Sequence, residues 1–242
     1  MSPAKHGLPL LRDSLYTLGR TTVRLYAFLR FHVDLEWQAP LPAGPKLIVA
    51  NHPSCTDPFL LLLLSRKPVS IMITGNAFDV PLFSALLRHG GQIEVIPGNG
   101  RQALAEALRR LEAGGAVAIF PEGHTSPQEG GYLSPRPGAA RLALGTGAAV
   151  IPVGIYLPRQ RSICINSKIS GGKPTTGYWY LQGPYAVTVG APLRFAGDVS
   201  DPQQVETVSA EIMAQIALLA DESEGRTLAR TRLALPAKRV MA

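Results

Sequence analysis

Lys46-Leu47-Ile48-Val49-Ala50-Asn51-His52-Pro53-Ser54-Cys55-Thr56-Asp57-Pro58 decides how the rest of the chain is read. Lys46–Ala50 is an apolar run that follows a stretch rich in chain breakers (Pro40, Pro42, Gly44, Pro45), which marks a buried strand. Asp57 followed by Pro58 then opens a helix, with the carboxylate as N-cap and the proline at the first helical position. The leucines from Leu60 to Leu64 make that helix, Asp57–Ser65, a core element, because a membrane span needs about 20 apolar residues.

The same alternation extends downstream. Strands are expected at Val69–Thr74, Gln92–Ile96, Ala116–Phe120 and Val150–Tyr156. Helices are expected at Pro81–Arg88, Arg101–Ala113 (closed by Gly114) and Gly138–Leu144. Two β-rich runs lie between Tyr178 and Val189, a helix runs near Gln203–Ala220, and residues 226–242 read as a basic tail. Repeated strand–helix alternation predicts an α/β layered sandwich with a largely parallel mixed sheet flanked by helices, in one domain over residues 1–242. Upstream, Leu11, Leu15, Leu18, Leu25, Phe28 and Leu29 recur at helical spacing among Arg12, Arg20, Arg24 and Arg30. This N-terminal amphipathic helical segment, residues 1–34, suits the interface of an anionic membrane; packing on the domain body is the plainer alternative.

Composition narrows the partner. Apolar residues make up 46% and charged residues 17%, and 24 Lys+Arg against 17 Asp+Glu leave a net charge of +7. That excess favours an anionic membrane surface or acidic substrates and carriers. Nucleic acid is disfavoured, since no zinc motif, helix-turn-helix pattern or aromatic-rich basic strand is present. Two cysteines, Cys55 and Cys164, form neither a disulfide framework nor a metal knuckle. The first residues lack the pattern of a signal peptide, so a peripheral protein on the cytoplasmic face is expected.

Two polar segments sit just past strand ends: Asn51–Asp57, and Phe120-Pro121-Glu122-Gly123-His124. In open α/β sheets the crevice beyond the strand carboxyl ends binds ligands, so both segments should face one crevice. Each has a structural explanation when taken alone, with His52 a satisfied core histidine and Asp57 a helix cap. Together they form a pattern. Asn51-His52-(four residues)-Asp57, then Phe120-Pro121-Glu122-Gly123, then Val150-Ile151-Pro152-Val153 and the intervening Gly131–Gly138 resemble the glycerophospholipid acyltransferase family over Lys46 to Tyr156.

That resemblance implies a membrane-associated O-acyltransferase that moves a fatty acyl group from acyl-CoA or acyl carrier protein to a glycerolipid hydroxyl, most readily that of a lysophospholipid such as 1-acylglycerol-3-phosphate. No cofactor and no metal is implied. His52 would be the general base and Asp57 its orienter. Glu122, Gly123, His124, Arg101 and Arg136 would bind substrate, with Lys173 a further cation for charge recognition. Backbone N–H groups near Gly123 or at the start of the Asp57 helix are expected to hold the oxyanion. Cys55 is expected to pack rather than react. Many family members continue Phe-Pro-Glu-Gly with Thr-Arg-Ser, and the arginine binds the acceptor phosphate. Here His124-Thr125-Ser126 stand there, and Gly98 replaces a second expected arginine, with Arg101 nearby.

Three rival readings stand beside this one. A metal-dependent hydrolase would ligate its ion through His52, Asp57, Glu122 and His124. An NAD(P)-binding oxidoreductase would use Gly98-Asn99-Gly100-Arg101-Gln102-Ala103, which matches a dinucleotide fingerprint with Glu122 about twenty residues on. A lipid-binding scaffold would keep the fold without the chemistry.

Overall fold

A computed structural model describes residues 9–168 and 174–234. The expected strand at Lys46–Ala50, here β2, forms as read and lies at the centre of a seven-stranded sheet. Preceding it are helix α1 (Pro9–Arg30) and strand β1 (Phe31–Trp37). After it come α2 (Asp57–Leu61), β3 (Val69–Thr74), α3 (Pro81–His89), β4 (Ile93–Val95), α4 (Gly100–Glu112) and β5 (Ala116–Ile119). The chain continues through α5 (Gly138–Thr146), β6 (Ala149–Tyr156), β7 (Ile163–Lys168), β8 (Pro174–Trp179), β9 (Gly183–Val189) and α6 (Pro202–Ala234).

The sheet order is β1-β9-β6-β2-β5-β3-β4, and β7 and β8 form a separate antiparallel hairpin. Strands β2 to β6 run parallel, while β9 turns antiparallel against β6 and carries β1 parallel to itself. The expected α/β layering with a largely parallel mixed sheet is therefore correct. Both sheet faces are covered, as a parallel sheet requires. Alternate residues of β2 divide between the faces: Ile48 and Ala50 join Tyr16, Ala27, Leu60 and Leu61, whereas Leu47 and Val49 join Ala107, Leu111, Ala140, Ile212 and Ile216.

Three local expectations need correction. The N-terminal helix stops at Arg30, because Phe31–Trp37 alternates in β fashion and pairs with β9 from Phe31↔Gly183 onward. Leu62–Leu64 tightens into a 3₁₀ turn rather than completing the helix expected to Ser65. The basic tail is in part no tail, since α6 runs unbroken to Ala234. Arg226 bridges Asp34 and Glu36 of β1 at 3.1 and 3.2 Å, and Arg230 reaches Asp34 at 3.1 Å. Opposite charges on distant segments thus hold the helix end against the edge strand. Lys173, Lys238 and Arg239 lie outside the described residues.

Candidate active site

His52 leaves the carboxyl end of β2, and Asp57 is the first residue of α2. The tight turn between them folds back so that His52 Nδ1 lies 3.0 Å from Asp57 Oδ2. Asp57 is not the expected N-cap: Thr56 holds that position without a side-chain cap bond. The carboxylate instead accepts the Ser54 N–H at 2.8 Å and the Tyr185 hydroxyl at 2.8 Å, and it is fully buried. Contacts with His52, Ser54 and Tyr185 fix this buried carboxylate in place. The His52 ring stacks on Phe120, with centroids 4.1 Å apart and planes 19° from parallel. About 15% of the His52 side chain reaches solvent, and its Nε2 has no hydrogen-bond partner among the described residues.

The turn itself is rigidly held. His52 N–H donates to Glu122 Oε1 at 3.1 Å and Ser126 Oγ at 3.3 Å. Cys55 N–H donates to Tyr178 O, Thr56 N–H to Ser54 Oγ, and Asp57 N–H to Ser54 O. Ser54 Oγ in turn accepts the Tyr180 N–H at 2.8 Å, and Thr56 Oγ1 donates to Tyr180 O at 2.8 Å. Every N–H from His52 to Asp57 is thus engaged within the protein, Pro53 having none. Asn51 exchanges two hydrogen bonds with the backbone of Ile155, tying the end of β2 to β6.

These bonds revise two expectations. Glu122 was expected at the acceptor end, yet it is 2% exposed and turned inward. Its oxygens accept the N–H of His52, the hydroxyl of Ser126 at 2.6 Å and the N–H of Leu133 at 2.9 Å. Glu122 holds the two crevice segments together rather than facing a ligand. Two of the backbone donors expected to form an oxyanion hole are also engaged, Gly123 N–H by Phe120 O and Asp57 N–H by Ser54 O.

Gly123, with φ of +69°, does have a steric role. A Cβ there would lie 2.5 Å from Arg136 Nε, so only glycine lets the guanidinium lie across the turn. Arg136 Nη2 lies 3.0 Å from His124 Nε2. Because guanidinium offers donors only, His124 Nε2 is the acceptor in this bond. Arg136 is thus the exposed cation of this loop, and His124 steadies it. Arg101, exposed in the first turn of α4, makes no hydrogen bond or ion pair with a described residue.

The rival sites are not assembled. Asp57 engages His52, Glu122 engages backbone groups and His124 engages Arg136, so the four do not converge as a ligand set. Gly98 adopts a φ of +81°, a turn conformation that glycine favours. That turn follows the edge strand β4, and Glu122 faces inward rather than toward a ribose. The Cys55 thiol is pushed up by burial, the opposite of an activated nucleophile.

The profile of a family described as Acyltransferase matches residues 32–156, just over half of the chain and both crevice segments. The chain belongs to the acyltransferase family. Among curated relatives of this acyltransferase-family chain, a chloroplastic 1-acyl-sn-glycerol-3-phosphate acyltransferase of Arabidopsis thaliana is 28% identical over 135 residues, 54% of this chain and 37% of that protein. A 1-acyl-sn-glycerol-3-phosphate acyltransferase of Borreliella burgdorferi is 28% identical over 130 residues, 51% of this chain and 52% of that one. The matched stretch spans about a third to a half of those relatives. The crystal structure of a 1-acyl-sn-glycerophosphate acyltransferase from Thermotoga maritima shares the fold, with a TM-score of 0.59 at 19% identity over 94% of this chain and 81% of its own.

Sequence reasoning found His52 and Asp57 but missed the residues that hold them. Phe120 was read as the end of a strand and the start of the crevice motif, but not as the ring that stacks on His52. Tyr185, Ser54 and Ser126 gave no local signal, since their partners lie 128, 126 and 74 residues away.

Proposed function

We propose that this protein is an O-acyltransferase that transfers a fatty acyl group from acyl-CoA or acyl carrier protein to the hydroxyl of a lysophospholipid such as 1-acylglycerol-3-phosphate. The observation that carries this reading is the His52–Asp57 pair, with Nδ1 held at 3.0 Å and Nε2 without a partner among the described residues. Neutral imidazole takes the acceptor's hydroxyl proton at Nε2 as the oxygen attacks the thioester carbonyl. Asp57 keeps the other nitrogen protonated and stabilises the imidazolium that forms. Collapse of the tetrahedral intermediate breaks the C–S bond, and the departing thiolate takes the proton from Nε2. The substrate hydroxyl is the nucleophile, so no side-chain nucleophile of the enzyme is required. Acyl-transfer assays pairing each donor with lysophosphatidate and with neutral monoacylglycerol test this; no transfer to either acceptor from either donor would refute it.

Arg136 is the cation for the acceptor phosphate, taking over from the arginine that Thr125 replaces. Its guanidinium is exposed one residue-width from Glu122, whose carboxylate holds the His52 turn. Arg136→Ala should raise the KM for lysophosphatidate by roughly 10- to 100-fold, the range of a charge-assisted hydrogen bond, and leave monoacylglycerol turnover unchanged. Equal effects on both acceptors would exclude a phosphate contact.

The protein acts as a peripheral enzyme at the cytoplasmic face. No helix among the described residues is long and apolar enough to cross a membrane. Since β1 runs parallel to β9 and antiparallel to the central strands, the carboxyl end of α1 lies at the same end of the sheet as His52. There Phe28, Leu29 and Leu25 are 81%, 67% and 59% exposed, flanked by the exposed Arg24 and Arg30. Deleting residues 1–34 is a poor test, because Tyr16, Ala27 and Phe31 belong to the core. Replacing Leu25, Phe28 and Leu29 together with serine should weaken binding to anionic vesicles at least roughly tenfold, since burying each such side chain contributes about 1.5–3 kcal/mol. Unchanged vesicle sedimentation would count against this face.

A further inference from the structure

We infer that Tyr185 is a positioning residue of this site, acting through Asp57 on the orientation and proton affinity of His52. The inference rests on the reading of His52 as general base. Tyr185 belongs to β9, outside the 32–156 stretch that matches the family, and it is 1% exposed. Its hydroxyl donates to Asp57 Oδ1 at 2.8 Å, while Oδ2 takes His52 Nδ1 and the Ser54 N–H. Its ring is wedged against Phe31 of β1, with centroids 5.5 Å apart, so the phenol cannot swing away. Burial first, then the adjacent Asp57 charge, hold this phenol well above its usual range, so it remains a donor wherever imidazole titrates.

The geometry divides labour across one carboxylate. Oδ2 faces the imidazole, and Oδ1 would be a desolvated, unpaired oxygen without Tyr185. Donation to Oδ1 disperses the negative charge and fixes the carboxylate plane, which in turn sets the direction of the Nδ1 bond. Remove the donor, and the more concentrated charge attracts imidazolium more strongly. The base then holds its proton to higher pH, and its ring is less well aimed. The other titratable groups beside the pair are Cys55, whose thiol burial pushes up, and Glu122, which accepts the His52 N–H. Both persist unchanged in a variant at position 185.

The test compares wild type with Tyr185→Phe by NMR titration of the His52 ring protons, assigned by their loss in His52→Ala. The midpoint should move up by about half to one pH unit in Tyr185→Phe, as expected when a charged acceptor loses one donor. The acid limb of the rate profile should move with it, kcat should fall about 5- to 50-fold, and the lysophospholipid KM should change little. Site-specific fluorotyrosine at position 185 keeps the ring and donates more strongly, so it should move the midpoint down, and it decides the matter if Tyr185→Phe fails to fold. A lower melting temperature with an unmoved His52 midpoint, or a midpoint that ignores both changes, would make Tyr185 a packing residue and overturn the inference. Absence of acyl transfer in the wild type would instead refute the general-base reading, while the titration still reports whether Tyr185 acts on the pair.

Discussion

Replacing His52 with alanine is expected to lower acyl transfer by about 10²–10⁴-fold or more, the contribution of a positioned general base, while leaving the protein folded. The fold should survive because the groups that hold the turn are not on the imidazole. His52 N–H bonds Glu122 and Ser126 through the backbone, and Ser54 and Thr56 carry the bonds to Tyr180. The ring contributes only its stacking on Phe120 and its bond to Asp57. Asp57→Asn should cost a comparable factor, because an amide presents an N–H or a weaker acceptor to Nδ1 and loses control of the tautomer. Single-turnover kinetics with saturating donor separate this from binding: kcat should fall and KM should not. Near-wild-type turnover by either variant on a confirmed substrate pair would rule out the proposed mechanism.

The largest stability effect is expected at Gly154 rather than in the site. A Cβ at this position of β6 would lie 2.0 Å from Ala220 N, 2.1 Å from Leu219 C and 2.6 Å from Leu219 Cβ. Backbone atoms of a helix cannot rotate aside, so α6 would have to lift from the sheet where Ile212, Ile216 and Leu219 are buried. Gly154→Ala should therefore cost more than ordinary overpacking, roughly 3–5 kcal/mol. For a chain of this size that is a fall in melting temperature of about 10 °C. Gly225, also glycine but inside α6 with open space around it, supplies the control. Gly225→Ala should stabilise by about 0.5–1 kcal/mol through helix propensity. Thermal unfolding of both variants reads the difference. A Gly154→Ala protein melting within about 2 °C of wild type would show that the sheet and helix separate more easily than their packing indicates.

The sequence by itself determined the alternation of strands and helices, the place of the His52 turn just past the carboxyl end of a strand, and the His52–Asp57 spacing. Those features are local: hydrophobic period, chain breakers and a five-residue turn act through neighbours along the chain. What only the tertiary structure decided depends on residues far apart in sequence. Phe31–Trp37 alternates apolar and polar residues, yet it follows the helical run without a break and is fixed as a strand by pairing with seven residues of β9. Arg226 read as part of a tail because Asp34, its partner, lies 192 residues away. Glu122 read as a ligand-facing acid because a carboxylate in a crevice motif looks the same whether it points outward or, as here, at three inward donors. Tyr185 carried no signal at all, since a tyrosine in a strand is ordinary until folding sets its hydroxyl 2.8 Å from Asp57. The chain therefore specifies the His52–Asp57 pair through short-range spacing, while the orientation of that pair is set by buried hydrogen bonds that exist only once the sheet has closed around them.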